Sequence, residues 1–197
     1  MRARLAIRAS GVSVELREIL LRDKPEAFLA ASAKGTVPVL ATQDRVIDEC
    51  RDIMLWTLAE NDPDDWLAMS PEGFDLVDQN DGPFKAALDR TKYAARYPDD
   101  DPNVARETAM AFLRVLEKRL ETHGGKGLCA DKLTFADIAI LPFVRQFANI
   151  DRAWFDAQNL NLVMNWLDRF LASSDFNAIM QKHPPWQEGQ EPVVFPS

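Results

Sequence analysis

The chain has 197 residues, 47% hydrophobic and 27% charged, without a low-complexity tract, which excludes disordered and fibrous classes and suffices for a sizeable core in one or two domains. A net charge of −8, from 31 acidic against 23 basic residues, argues against nucleic acid or an anionic membrane as the main partner, since both demand a basic face. Two distant cysteines, Cys50 and Cys129, lack metal-ligand spacing and fit a reducing compartment, by default the cytoplasm.

The chain opens Met1-Arg2-Ala3-Arg4-Leu5-Ala6-Ile7, Arg-rich and amphipathic, and this predicts a helix from about Met1 to Ala9 stopped by Gly11. An organellar transit peptide has the same composition, but this stretch runs without a break into a strand pattern. Val12, Val14 and Leu16 alternate with polar residues and predict a strand with one buried face. Lys24-Pro25-Glu26 starts a short helix, with proline in the first turn where its missing N–H does no harm. Val37 to Ala41 and Arg45 to Ile47 read as strands that Thr42-Gln43-Asp44 could join as a hairpin. Asp48 is the expected cap of a helix running to about Glu60, and Asn61-Asp62-Pro63-Asp64-Asp65 then breaks the pattern.

Beyond Phe74 every segment reads as helix. Phe84 to Tyr97 is one; Asn103 is the expected cap of the next, which carries Ala109, Phe112, Leu113, Leu116 and Leu120 at helical spacing and ends at Gly124-Gly125. Thr134-Phe135-Ala136-Asp137 has the form of a capping box ahead of the apolar run Ile138 to Val144. A last long helix uses Val163, Trp166, Leu167 and Phe170, followed by a Pro184-Pro185 tail. No window approaches ~18 consecutive apolar residues, the length of a membrane-spanning helix.

The most informative stretch is Gly35-Thr36-Val37-Pro38-Val39-Leu40, followed by Asp48-Glu49-Cys50 at a helix start. A proline in a strand-like run removes a ladder hydrogen bond, so the backbone there offers its polar groups to something other than a neighbouring strand. Val37-Pro38 is therefore a candidate ligand contact and a candidate cis peptide. The order of these motifs, with Lys24-Pro25-Glu26 before them and the Thr134/Asp137 cap after them, resembles the glutathione transferase family over nearly the whole chain, most closely its omega-like, cysteine-type branch.

The resemblance implies an α+β, thioredoxin-like glutathione-binding domain at 1–60, lacking its first strand, a linker at 61–73, and an all-α domain at 74–197. It implies glutathione as cosubstrate, a small-molecule electrophile or disulfide as second substrate, and a possible homodimer. Glutathione carries two carboxylates and one ammonium. On this resemblance Val37 offers its N–H and C=O to the cysteinyl peptide, with Pro38 keeping the edge open, and Lys24 meets a carboxylate. Glu49 pairs with the γ-glutamyl ammonium, and Cys50, at a helix N-terminus, receives the γ-glutamyl carboxylate. The family usually has serine at Cys50, and a thiol is the weaker donor.

No catalytic residue is expected within the chain. The opening residues look like the continuation of a Cys-Pro motif whose cysteine would lie a few residues upstream, and Arg2 and Arg4 oppose the dipole of an uncapped helix. Either the true start lies further upstream and this chain is a truncated product, impaired in catalysis, or the short form is real and catalytically silent. Val12 to Leu16 would then pair with Val37 to Ala41, pair with another chain, or drift from its family position. The alternative function is a non-enzymatic interaction or regulatory module of transferase fold. Cys129 reads as a small buried residue, and His123 and His183 as helix-end cations. Thr134 and Asp137 read as caps; Tyr93, Arg96 and Tyr97 lie where such proteins line the second-substrate cleft, though packing and solvation explain them as well.

Overall fold

The computed structural model describes residues 1–196. It comprises two compact units: Met1–Asp64 with the C-terminal segment from Ser174, and Asp65–Ser173. Residues 174–196 belong to the first unit.

In the first unit, α1 (Arg2–Ser10) buries Ala3, Leu5, Ala6 and Ile7 and packs against α3 (Cys50–Glu60), which buries Ile53, Met54 and Leu58. Gly11 ends α1 as expected, at φ 70°, where its N–H reaches the carbonyls of Ile7 and Arg8. α2 (Glu26–Ala31) begins after Pro25 and buries no residue. The hairpin forms from β2 (Leu40–Ala41) and β3 (Val46–Ile47), in register Leu40↔Ile47 and Ala41↔Val46, and Thr42 N–H closes it on the Arg45 carbonyl at 2.8 Å. Both strands are shorter than their sequence patterns.

β1 (Val14–Glu15) takes none of the partners expected for it. It pairs antiparallel with β4 (Val194–Phe195), in register Val14↔Phe195 and Glu15↔Val194, so the chain's own C-terminal residues satisfy this backbone. Val193-Val194-Phe195 is too short and too closely bracketed by Pro192 and Pro196 to signal a strand. α10 (Ser174–Ile179) lies on α1, tied by an Arg8–Asp175 ion pair at 2.8 Å and by Arg4 donating to the Ile179 carbonyl at 3.3 Å.

The second unit is helical. α4 (Pro71–Gln79) starts within the expected linker, with Pro71 at its first position. It continues through a π-helical turn (Asn80–Phe84), where Pro83 has no N–H to give, into α5 (Lys85–Lys92) and a 3-10 turn (Ala94–Arg96). The expected Phe84 to Tyr97 helix is thus the end of a longer one. α6 (Pro102–Thr122) is capped by Asp101, whose carboxylate accepts from Asn103 N–H at 2.8 Å; Asn103 is the recipient, not the cap. Its buried stripe includes Ala109, Phe112, Leu113, Leu116 and Leu120, and Gly124 and Gly125 come next at φ 61° and 74°. α7 (Phe135–Ala148) has the Thr134/Asp137 capping box and is apolar nearly all round. α8 (Arg152–Asp156) and α9 (Asn161–Leu171) complete the unit, α9 burying Val163, Trp166, Leu167 and Phe170.

Candidate functional site

The segment after α2 is built to present a short stretch of bare backbone. Gly35, at φ 60°, turns the chain; its N–H bonds the Ser32 carbonyl at 2.9 Å. The buried Ser32 hydroxyl bridges the Thr36 N–H at 3.2 Å and the Thr36 carbonyl at 3.3 Å. Val37 is next, 48% exposed, joined to Pro38 by a cis peptide bond, as the sequence anticipates. Among the described residues the main-chain N–H and C=O of Val37 have no protein partner. The hairpin pairs only from Leu40 onward, so the edge at Val37 stays open.

Two charged positions flank this turn. The Lys24 ammonium lies 3.4 Å from where a Cβ on Gly35 would stand, and it enters no ion pair among the described residues. Glu49 is tied to the same turn by Lys34, whose Nζ is 2.9 Å from Glu49 and 3.1 Å from Asp48. Donating to the Glu49 carboxylate first and the Asp48 carboxylate next holds the Lys34 ammonium above its ordinary pKa. Lys34 is the residue that sequence reasoning missed; its position directly before Gly35, with an acidic pair at the start of the next helix, was the available signal. Asp48 does not cap α3, contrary to expectation: its carboxylate serves Lys34, and Glu49 at the N-cap position makes no side-chain cap either. Neither side chain therefore caps the N-terminus of α3.

Cys50 opens α3. The guanidinium of Arg2, 5% exposed, reaches its sulfur at 3.7 Å, and burial holds the neighbouring Met1 amine below its ordinary pKa. No sequence signal links Arg2 to Cys50; only the packing of α1 on α3 brings them together. The structure thus groups Lys24, Val37, Pro38 and Glu49 around one turn, with Cys50 at the adjoining helix end. Cys129 is elsewhere, in the helical unit, where burial pushes its thiol pKa up. No group of His, Cys, Asp and Glu able to hold a metal occurs among the described residues.

Residues 1–66 match the family model of the glutathione S-transferase N-terminal domain, and residues 65–169 match that of the C-terminal domain. The chain belongs to the glutathione S-transferase family. Its architecture is that of glutathione S-transferases, a thioredoxin-like N-terminal domain and a helical C-terminal domain. Glutathione S-transferase DHAR2 of Arabidopsis thaliana is 29% identical over 125 residues, 63% of this chain and 54% of that relative. The match therefore spans about half the length of that relative. Among solved structures, a glutathione S-transferase from Rhodospirillum rubrum F11 has a TM-score of 0.71 at 20% identity, covering 98% of this chain and 90% of that one. Glutathione transferase F7 from Populus trichocarpa scores 0.70 at 18% identity over 89% and 90% of the two chains. Gtt2 from Saccharomyces cerevisiae scores 0.65 at 17% over 91% and 94%. Glutathione is the substrate of the family. No helix among the described residues is long and apolar enough to cross a membrane.

Proposed function

We propose that this protein binds glutathione along the open edge at Val37 and serves a thiol-transfer reaction of the omega-like, cysteine type. The observation that carries the reading is the partnerless main-chain N–H and C=O of Val37, flanked by Lys24 on one side and the Asp48-Glu49 pair on the other. An extended cysteinyl peptide fits such an edge as an added strand would. Glu49 takes the γ-glutamyl ammonium, exchanging Lys34 for it, and the uncapped amides at Cys50 take the γ-glutamyl carboxylate. That leaves the glycine carboxylate of the tripeptide for Lys24.

In the reaction of that type, a cysteine thiolate attacks the glutathionyl sulfur of a mixed disulfide and releases the substrate thiolate. Bound glutathione then attacks the enzyme's mixed disulfide, which returns the cysteine thiolate and forms oxidised glutathione. A cytoplasmic location and a homodimer belong to the same reading.

Titration calorimetry with reduced glutathione tests it. Saturable binding that weakens in Lys24→Gln and Glu49→Gln supports the reading. A folded chain that binds no glutathione at millimolar concentration overturns it and leaves a transferase-fold interaction module in its place.

A further inference from the structure

The C-terminal segment reaches back onto the residues that lead into Lys24, and Trp186 is the point of attachment. Its backbone N–H donates to the Glu18 carbonyl at 2.7 Å, and its ring lies under the Arg17 guanidinium, 4.7 Å from the centroid. Arg17 donates to both oxygens of Glu15 at 2.8 and 3.0 Å; these bonds first, and the Trp186 side chain to a lesser degree, hold the Glu15 carboxyl below its ordinary pKa. Further along the same segment, Leu16 N–H bonds the Val193 carbonyl at 2.7 Å, β4 pairs with β1, and Phe195 is 6% exposed. From the other side Arg4 reaches the Glu18 carboxylate at 2.5 Å.

The stretch between Glu18 and α2 has little of its own to hold it. Leu20 and Leu21 are 42% and 59% exposed, a single backbone bond of 2.9 Å from Asp23 to Leu20 closes the turn, and α2 buries nothing. Trp186 and Glu188 line an open cavity of about 470 Å³ together with Pro25 and, in α2, Glu26, Ala27 and Ala30. The position of Lys24 beside Gly35 therefore depends on the course of the chain that enters α2. An anchor at Arg17 and Glu18 shortens the free stretch before it and lowers the entropy lost when Lys24 is fixed by a ligand.

We propose that Trp186 is a positioning residue for Lys24: by pinning Arg17 and Glu18 it keeps the Lys24 ammonium beside Gly35, preorganised for the glycine carboxylate of glutathione. The inference rests on the glutathione reading above.

The test is calorimetric titration of the whole chain and its variants with glutathione and with γ-glutamylcysteine, which lacks the glycine carboxylate. Trp186→Ala is expected to weaken glutathione about tenfold while leaving γ-glutamylcysteine within about twofold. In a Lys24→Gln background Trp186→Ala is expected to cost nothing more, since the two act through one contact. Arg17→Gln, which breaks the same stack from its exposed side, gives the same selective loss and keeps the inference open to test if Trp186→Ala does not fold. Unchanged glutathione affinity in both variants, equal losses for both ligands, or additive losses in the double variant would overturn it. A wild-type chain that binds neither ligand overturns the glutathione reading itself, and this inference with it.

Discussion

The indole Nε1 of Trp166 donates to Oδ1 of Asp137 at 2.9 Å, joining α9 to the first turn of α7 in the interior of the helical unit. The same oxygen accepts from Leu128 N–H at 2.9 Å, and Oδ2 accepts from both the N–H and the hydroxyl of Thr134 at 2.8 Å. One fully buried carboxylate thus serves a helix cap, a loop and a neighbouring helix.

Burial pushes the Asp137 pKa up to about 6 from 3.8, against the hydrogen bonds that pull it down. A folded-state pKa above the unfolded value means that the folded state holds the proton more tightly. The resulting stability is full below pH ~4 and is lost as pH rises through ~6, a change on the order of 3 kcal/mol. Asp137→Asn removes this dependence and leaves two donors badly matched, so it is destabilised throughout. Urea unfolding at pH 4 and pH 7 checks the sign: the gap between wild type and variant is expected to narrow with rising pH, and a widening gap contradicts the assignment.

Glu117 on α6 caps α9 from outside: its two oxygens accept from Leu162 N–H at 3.0 Å and Val163 N–H at 2.8 Å, while α9's own N-cap position holds Leu160, which has nothing to offer. Glu117→Ala is expected to cost about 1–2 kcal/mol, as loss of a charged cap does. Hydrogen exchange should quicken most at Leu162 and Val163; protection that stays intact there contradicts the cap.

Two glycines separate crowding from chain freedom. A Cβ on Gly127 would stand 2.0 Å from the Lys132 carbonyl oxygen and 3.0 Å from that of Ala130, so Gly127→Ala must displace backbone and is expected to cost about 2 kcal/mol or more. Gly82, in the π-helical turn, has nothing within 4 Å of that point, and Gly82→Ala is expected to be neutral or to stabilise by roughly 0.5 kcal/mol. Thermal or denaturant midpoints of the two variants decide it.

At the proposed site, Cys50→Ser restores the stronger hydroxyl donor and is expected to tighten glutathione binding a few-fold, roughly 0.5–1 kcal/mol. Titration calorimetry reads the change directly, and weaker binding would show that the thiol and its Arg2 contact matter for the ligand.

Cys129 makes a contrasting case. Its thiol pKa is raised by burial first and by Asp137 next, so alkylation at neutral pH is expected to be slow there. Peptide mapping after brief iodoacetamide treatment at pH 7 should recover Cys129 unmodified.

Much of this architecture is written locally. The Gly11 stop, the Thr134/Asp137 box, the stripe from Ala109 to Leu120 and the Val37-Pro38 edge each arise from backbone sterics, side-chain spacing or a missing N–H within a few residues, and so could be read from the sequence. The sequence also marked Lys24 and Glu49 as charges beside that edge. The Lys34 contact with Asp48 and Glu49 had a local signal that sequence reasoning passed over. Two features the sequence could not contain: β1 finds its partner at Val194–Phe195, and Arg2 meets Cys50, both contacts between residues far apart in the chain. Periodicity and propensity report which faces seek burial and which backbone groups seek partners. Which distant strand or ion answers is settled only when the chain closes on itself, because the two ends of such a contact carry no mark of each other until packing brings them within hydrogen-bond reach.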